Sequence, residues 1–193
     1  MIKITITSFK SFLFIALCLG VAILIGCDGD GNGGVIPERY GIYLEENCPI
    51  PDPSSVCFQA ISSQGSEISS AELVVTDVSD VYASSLYLSF DSDIVMVTVS
   101  EGDFLNSDGS ETELLVNDET PGLLIIGISR RNVSTGVDAV GSQTLLNLTI
   151  RPRGRAGSTD FTFSNNYLLD SSAPPEEIQG VSWCSGSMTV SRI

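Results

Sequence analysis

The stretch "VYASSLYLSFDSDIVMVTVSEGDFL", residues 81–105, decides the fold of this chain. Apolar and polar residues alternate over residues 85–90, with Leu86, Leu88 and Phe90 on one side. Successive side chains of a β-strand point to opposite faces, so this period of two predicts a strand with one buried and one exposed face. A valine-rich run follows after a short polar turn and indicates a second strand.

Short runs of the same kind continue along the chain, separated by turn clusters such as "NSDGSE" and "PRGRAGS". No segment carries a helical apolar period long enough for the crossover helices of a parallel sheet. Many short strands with such punctuation are typical of an all-β sandwich or barrel. The predicted strands are residues 56–62, 71–76, 84–90, 94–101, 113–117, 123–129, 144–151, 160–169 and 181–191.

The order and spacing of these runs resemble those of cohesin domains. The resemblance is carried by residues 81–105, by "LLNLTIRPRGRAGSTDFTFSN" at residues 145–165, and by "GSMTV" at residues 186–190. It implies an all-β, jelly-roll β-sandwich of about nine strands in two sheets, assigned here to residues 56–193. Cohesins bind dockerins, and a related group of carbohydrate-binding modules shares the fold, so the resemblance by itself does not fix the partner.

The amino terminus has the features of a lipoprotein signal peptide. Two lysines precede an almost unbroken apolar run at residues 12–25, which is shorter than a membrane-spanning helix and has the order of a secretory signal. The run ends in "LIGC", which resembles a bacterial lipobox and implies cleavage after residues 1–26 and lipidation of Cys27. An ordinary signal peptide with an incidental cysteine is the alternative. We expect a flexible tether at residues 27–34 and an irregular segment at residues 35–55.

A lipidated Cys27 would attach the protein to a membrane of the cell envelope, because several acyl chains on one residue suffice for stable anchoring. The sequence does not distinguish a periplasmic from a cell-surface location.

Two segments invite a calcium interpretation. "DGDGNGG" at residues 28–34 matches the first half of an EF-hand loop, but the twelfth position is Arg39 rather than Glu. The turn after residue 105 offers Asp108, Glu111 and Glu113 as oxygen ligands, although a solvated turn explains the same residues. We therefore expect no metal ion and no cofactor.

The composition argues against an enzyme and against nucleic-acid binding. The chain has no histidine and a net charge of −15, and its lysines lie only in the signal peptide. Without His or a later Lys, the commonest general base and the Schiff-base amine are missing. A pair of carboxylates could hydrolyse a glycoside, but the 24 acids offer no distinguishable pair. The negative charge is repelled by nucleic acid.

Three cysteines remain after the lipidation site: Cys48, Cys57 and Cys184. They face an oxidising compartment once the chain is exported, so we expect one structural disulfide. The sequence leaves the pairing open.

Two binding functions remain: recognition of a dockerin-like protein, or of a polysaccharide. Polysaccharide binding on a flat sheet favours several exposed aromatic residues in a row. The candidates Tyr82, Tyr87 and Trp183 fall on different strands or loops. We therefore favour a protein partner.

The resemblance to cohesins implies that strands 84–90, 123–129 and 144–151 share one sheet, whose outer face receives the dockerin. Such a face would combine one tyrosine with small hydroxyls and aliphatic residues and almost no charge, as at the centre of protein interfaces. A loop or segment 35–55 could instead cover it. The predicted face is Ser85, Tyr87, Ser89, Leu123, Ile125, Leu145, Asn147 and Thr149.

Overall fold

A computed structural model describes residues 38–46, 54–61 and 65–193 of the chain. The predicted signal peptide, the lipidation site Cys27, the tether and Cys48 lie outside the described residues. In the described ranges no helix is long and apolar enough to cross a membrane.

The described residues form eleven strands. They are β1 (Tyr40–Glu46), β2 (Ser55–Ala60), β3 (Ser69–Val81), β4 (Ala83–Ser89), β5 (Val95–Glu101), β6 (Thr112–Asn117), β7 (Leu123–Arg130), β8 (Val137–Pro152), β9 (Gly157–Leu169), β10 (Ser182–Cys184) and β11 (Gly186–Arg192).

The strands make two sheets that pack into a jelly-roll sandwich, which confirms the predicted fold class. The six-stranded sheet has the order β1-β11-β9-β4-β7-β6, and the five-stranded sheet has the order β10-β2-β3-β8-β5. Neighbours pair antiparallel in both sheets, except that β10 runs parallel to β2. Each of the nine predicted runs contains or overlaps a strand of the structure.

The alternating sequence of β7 shows how the core is built. Leu124, Ile126 and Ile128 are almost fully buried, whereas the positions between them are only half-buried. Removing one large aliphatic side chain from water contributes about 1.5–3 kcal/mol, so the inner faces of two such sheets supply the main stabilisation.

Stacked phenylalanines join the two sheets at the centre of the core. Phe58 of β2 and Phe161 of β9 stack with ring centroids 4.8 Å apart. Gly186 of β11 faces the ring of Phe58, and a Cβ there would collide with it. Glycine at this position therefore allows the close approach of β11 to the aromatic pair.

The prediction of an irregular segment at residues 35–55 is wrong for β1. This strand is an edge of the six-stranded sheet and pairs antiparallel with β11. Its side chains Ile42 and Leu44 are buried in the core. The nearby prolines and acids suggested a loop, but the alternation within "YGIYL" places two aliphatic side chains on one face, and their burial favours a strand.

A disulfide joins Cys57 of β2 to Cys184 of β10, 127 positions apart in the sequence. The last predicted strand, 181–191, is divided by this arrangement. Its first part, β10, pairs with β2, and its second part, β11, crosses to the other sheet.

Candidate partner-binding face

Five of the eight residues predicted for the binding face lie together on the solvent side of the six-stranded sheet. Ser85, Tyr87 and Ser89 belong to β4, and Leu123 and Ile125 belong to β7. The register places Tyr87 opposite Ile125 and Ser89 opposite Leu123. All five side chains are half-buried. These five residues are called the β4/β7 face below.

The prediction is wrong for the other three residues, Leu145, Asn147 and Thr149. They lie on β8, between β3 and β5 in the five-stranded sheet. Alternation along a strand shows which side chains share a face, but the sheet to which the strand belongs depends on long-range pairing.

Leu145 is also buried rather than exposed. Its neighbour Leu146 is buried as well, although alternation along a strand would expose one of the two. The chain that follows β5 runs across the end of β8: the amide of Gly102 donates to the carbonyl of Leu145 at 2.9 Å, and the amide of Phe104 donates to the carbonyl of Thr144 at 3.1 Å. The phenyl ring of Phe104 is itself almost fully buried. This irregular segment satisfies backbone groups of β8 and leaves no room for a partner at Leu145.

Two strands that the prediction did not place on the face extend it on either side. On β6, Leu115 and Asn117 face solvent beside β7. On β9, Thr162 and Ser164 are exposed and pair with β4. Both strands are among those that the sequence predicts, but nothing local in their sequences identifies their neighbours.

The β4/β7 face has an uncharged centre and an acidic border. Its own residues are one tyrosine, two serines and two aliphatic side chains. Along β6 and the turn after it, Glu113, Asp118 and Glu119 are exposed. Depletion of charge at the centre with a tyrosine among small residues is the composition of the core of a protein interface.

A buried arginine fixes the loop at the end of the sheet. The guanidinium of Arg130 is fully buried at the end of β7. Nη1 donates to the carbonyl of Leu105 at 2.8 Å, and Nη2 donates to Asp108 at 2.5 Å and to the Ser110 hydroxyl at 3.0 Å. The hydrogen bond from Arg130, followed by those from the side chain and backbone of Ser110, holds the pKa of the Asp108 carboxyl well below its usual range. A buried charge is tolerated when it is paired in this way.

The other two carboxylates of this turn have their own partners. Glu111 accepts a hydrogen bond from the amide of Asn132 at 3.2 Å, and Glu113 lies 3.6 Å from the guanidinium of Arg131. The side chains of Asp108, Glu111 and Glu113 are therefore engaged separately. Within the ranges that the structure describes, no group of three or more Cys, Asp or Glu side chains is arranged to hold a metal ion.

The three aromatic candidates for sugar stacking do not form a row. Tyr87 lies on the β4/β7 face, whereas Trp183 lies on β10 of the other sheet and packs against Phe163 with ring centroids 5.8 Å apart. Tyr82 lies between β3 and β4. The arrangement gives no flat aromatic platform.

The fold and this face together define a jelly-roll module with an uncharged, tyrosine-centred sheet surface. No family model and no curated protein matches the chain. Solved structures do match, and those described below are cohesin domains.

Three solved structures show the likeness. CaCohA2 of Clostridium acetobutylicum, in its complex with CaDoc0917, is 18% identical with a TM-score of 0.56, over 69% of this chain and 96% of that one. The third cohesin ScaC of Acetivibrio cellulolyticus, in complex with the ScaB dockerin, is 16% identical with a TM-score of 0.54, over 69% and 95%. The Coh-OlpC domain of a type I cohesin–dockerin complex from Clostridium thermocellum is 14% identical with a TM-score of 0.53, over 72% and 95%. The chain therefore has the fold of a cohesin domain.

Proposed function

We propose that this chain is a lipid-anchored, non-catalytic module of the cell envelope that binds a protein partner of the dockerin type through the β4/β7 face. The observation that carries the proposal is the uncharged centre of this face, with Tyr87 beside Ile125, on a cohesin fold. The lipid anchor is Cys27, which follows the apolar run at the amino terminus.

The chemistry of the face supports a protein partner over a polysaccharide. A tyrosine brings a large, rigid contact area with one polar tip, and small serines let a partner approach the sheet closely. Of the three aromatic candidates, Tyr87 alone lies on this face, so these candidates give a sugar chain a single stacking position there.

Two substitutions test the face directly. Tyr87→Ala removes its largest contact, and Ile125→Asp places a charge at its centre. Both side chains are half-buried and lie on the outer side of the sheet, away from the core, so the domain should stay folded, as circular dichroism would show. Truncating a central anchor of an interface costs about 2 kcal/mol or more, so each variant should bind its partner at least about 30-fold more weakly.

The assay compares full-length wild type and variants, immobilised in detergent, for the proteins that they retain from the envelope and secreted fractions of the native organism. The matched control is Met96→Asp, the same kind of change at an exposed apolar residue on the outer face of the five-stranded sheet. We expect one polypeptide to be retained by wild type and Met96→Asp and lost with Ile125→Asp.

Other results would contradict the proposal. If Ile125→Asp retains the polypeptide as well as wild type does, the β4/β7 face is excluded as the binding site. If only Met96→Asp loses the polypeptide, the binding site lies on the five-stranded sheet instead. Retention of the protein on insoluble polysaccharide, without any captured polypeptide, would favour the carbohydrate function. If both face variants unfold, their side chains belong to the core.

A further inference from the structure

The β4/β7 face has a depression where β7 carries a glycine. Gly127 occupies a position of β7 on the outer side of the sheet, and it pairs with Ser85 of β4 and Leu115 of β6. Together with Asn117 and Ile125, these residues line a hollow of about 320 Å³ on the sheet surface. Leu115 is 66% exposed and forms an apolar wall of this hollow.

Neither backbone conformation nor packing requires glycine at position 127. Its φ lies outside the left-handed region that favours glycine, and a Cβ built there would meet nothing within 4 Å. Glycine inside a strand weakens the strand, and it often marks a place where another molecule approaches closely. Glycine at position 127 therefore lowers the stability of the strand and leaves an unfilled space on the surface of the sheet.

The charges around the hollow indicate the charge of the partner surface that would cover it. The lining itself is uncharged. Glu111, Glu113, Asp118 and Glu119 border it along β6 and the adjoining turns, and Glu113 lies 3.6 Å from the guanidinium of Arg131. A partner that places an apolar side chain in the hollow and basic side chains around it matches this pattern in both polarity and charge.

We propose that the hollow over Gly127 receives one aliphatic side chain of a protein partner, flanked in that partner by Lys or Arg residues that face the acids along β6 and its adjoining turns. This inference rests on the proposed protein-binding function and specifies the partner's surface. Leu115 and Ile125 contact the inserted side chain, and the missing side chain of Gly127 provides its space. The exposed Leu115 is then covered in the complex, as apolar interface residues are.

The test fills the hollow without unfolding the domain. Gly127→Val adds a branched side chain where the structure has free space, and valine is a better strand former than glycine. The melting temperature of the full-length protein should therefore rise, by about 2–4 °C for each kcal/mol gained. Binding should weaken at least tenfold, so stability and binding move in opposite directions.

The probe is a phage-displayed library of random 16-residue peptides selected on full-length wild type. We expect the selected peptides to share one Leu, Ile, Val or Met flanked by Lys or Arg, and to lose at least tenfold in affinity for Gly127→Val. Their affinity should also fall between 0.05 and 0.5 M NaCl because exposed charges are screened. The matched control is Ser187→Val, which adds the same side chain on the same sheet, on β11, and should leave their affinity unchanged.

The outcomes separate this inference from the proposed function. Peptides that bind Gly127→Val as well as wild type but lose affinity for Ile125→Asp would refute the hollow and retain the face. Peptides that bind all variants equally would refute both. A selection that yields no peptide with an aliphatic anchor would also overturn the inference.

Discussion

Reduction of the Cys57–Cys184 disulfide should weaken the domain about as much as the most disruptive large-to-small core substitutions. The bond closes a loop of 127 residues and attaches β10, a strand of three residues, to β2. The closed loop includes every strand from β3 to β9. Cutting the bond therefore frees most of the domain's chain in the unfolded state, while the folded sheets keep their other pairings.

The magnitude follows from the size of the loop. A chain-entropy estimate for a closed loop of this length gives about 5 kcal/mol at 25 °C. Since the stability of a domain is typically about 5–15 kcal/mol, the reduced protein should be marginally stable. With a urea slope of about 2 kcal/mol per M, the midpoint should fall by roughly 2.5 M, and the slope should increase because the reduced chain unfolds to a more expanded state.

The assay is urea unfolding of the full-length protein followed by the fluorescence of Trp183, the single tryptophan of the chain. Trp183 precedes Cys184 and packs against Phe163, so its emission reports the docking of β10. Wild type with reductant and the Cys57→Ala/Cys184→Ala double variant should both show the low midpoint. Cys48→Ser should keep the wild-type midpoint and its response to reductant. An unchanged wild-type midpoint after complete reduction would refute the reasoning.

Three further predictions concern other parts of the chain. The pKa of Asp108 is lower in the folded protein than in the unfolded chain, so its ion pair with Arg130 stabilises the fold fully above about pH 4. This stabilisation is lost as the pH falls from there through the lowered pKa. The difference in melting temperature between wild type and Asp108→Asn should therefore be smaller at pH 3 than at pH 7. A gap that does not change with pH would exclude this coupling. Gly102→Ala should cost about 1–3 kcal/mol in urea unfolding, because its Cβ would collide with the backbone carbonyl of Thr144; wild-type stability would contradict the packing. Cys27→Ser should abolish labelling by radioactive palmitate, and unchanged labelling would disprove lipidation at this residue.

The strands and their buried faces could be predicted from the sequence because the information is local. In β4, the period of two places Leu86 and Leu88 in the core, and both are about 1% exposed. The same holds for the predicted inner residues Leu146, Leu148 and Ile150 of β8. A one-residue error in such a pattern would turn the whole strand over, so the pattern specifies the face strongly.

The arrangement of the strands could not be obtained in this way. Residues 144–151 alternate as clearly as residues 84–90, yet they lie in opposite sheets. The burial of Leu145 has a different cause, since it depends on the segment from Gly102 to Leu105 that covers the end of β8. That cover is a long-range contact, about 40 positions away in the sequence.

Arg130 shows how a strand pattern and a loop together shape the candidate face. The alternation of β7 directs position 130 inward, where an arginine would ordinarily be unfavourable. The loop residues Leu105, Asp108 and Ser110 accept hydrogen bonds from both Nη atoms of its guanidinium, and this contact fixes the chain immediately before β6. Because β6 starts at Thr112, the buried arginine also sets where Leu115 stands against Gly127. The edge of the hollow is thus held by a charge inside the sandwich, and a change at Arg130 or Asp108 would alter the candidate β4/β7 face from a distance.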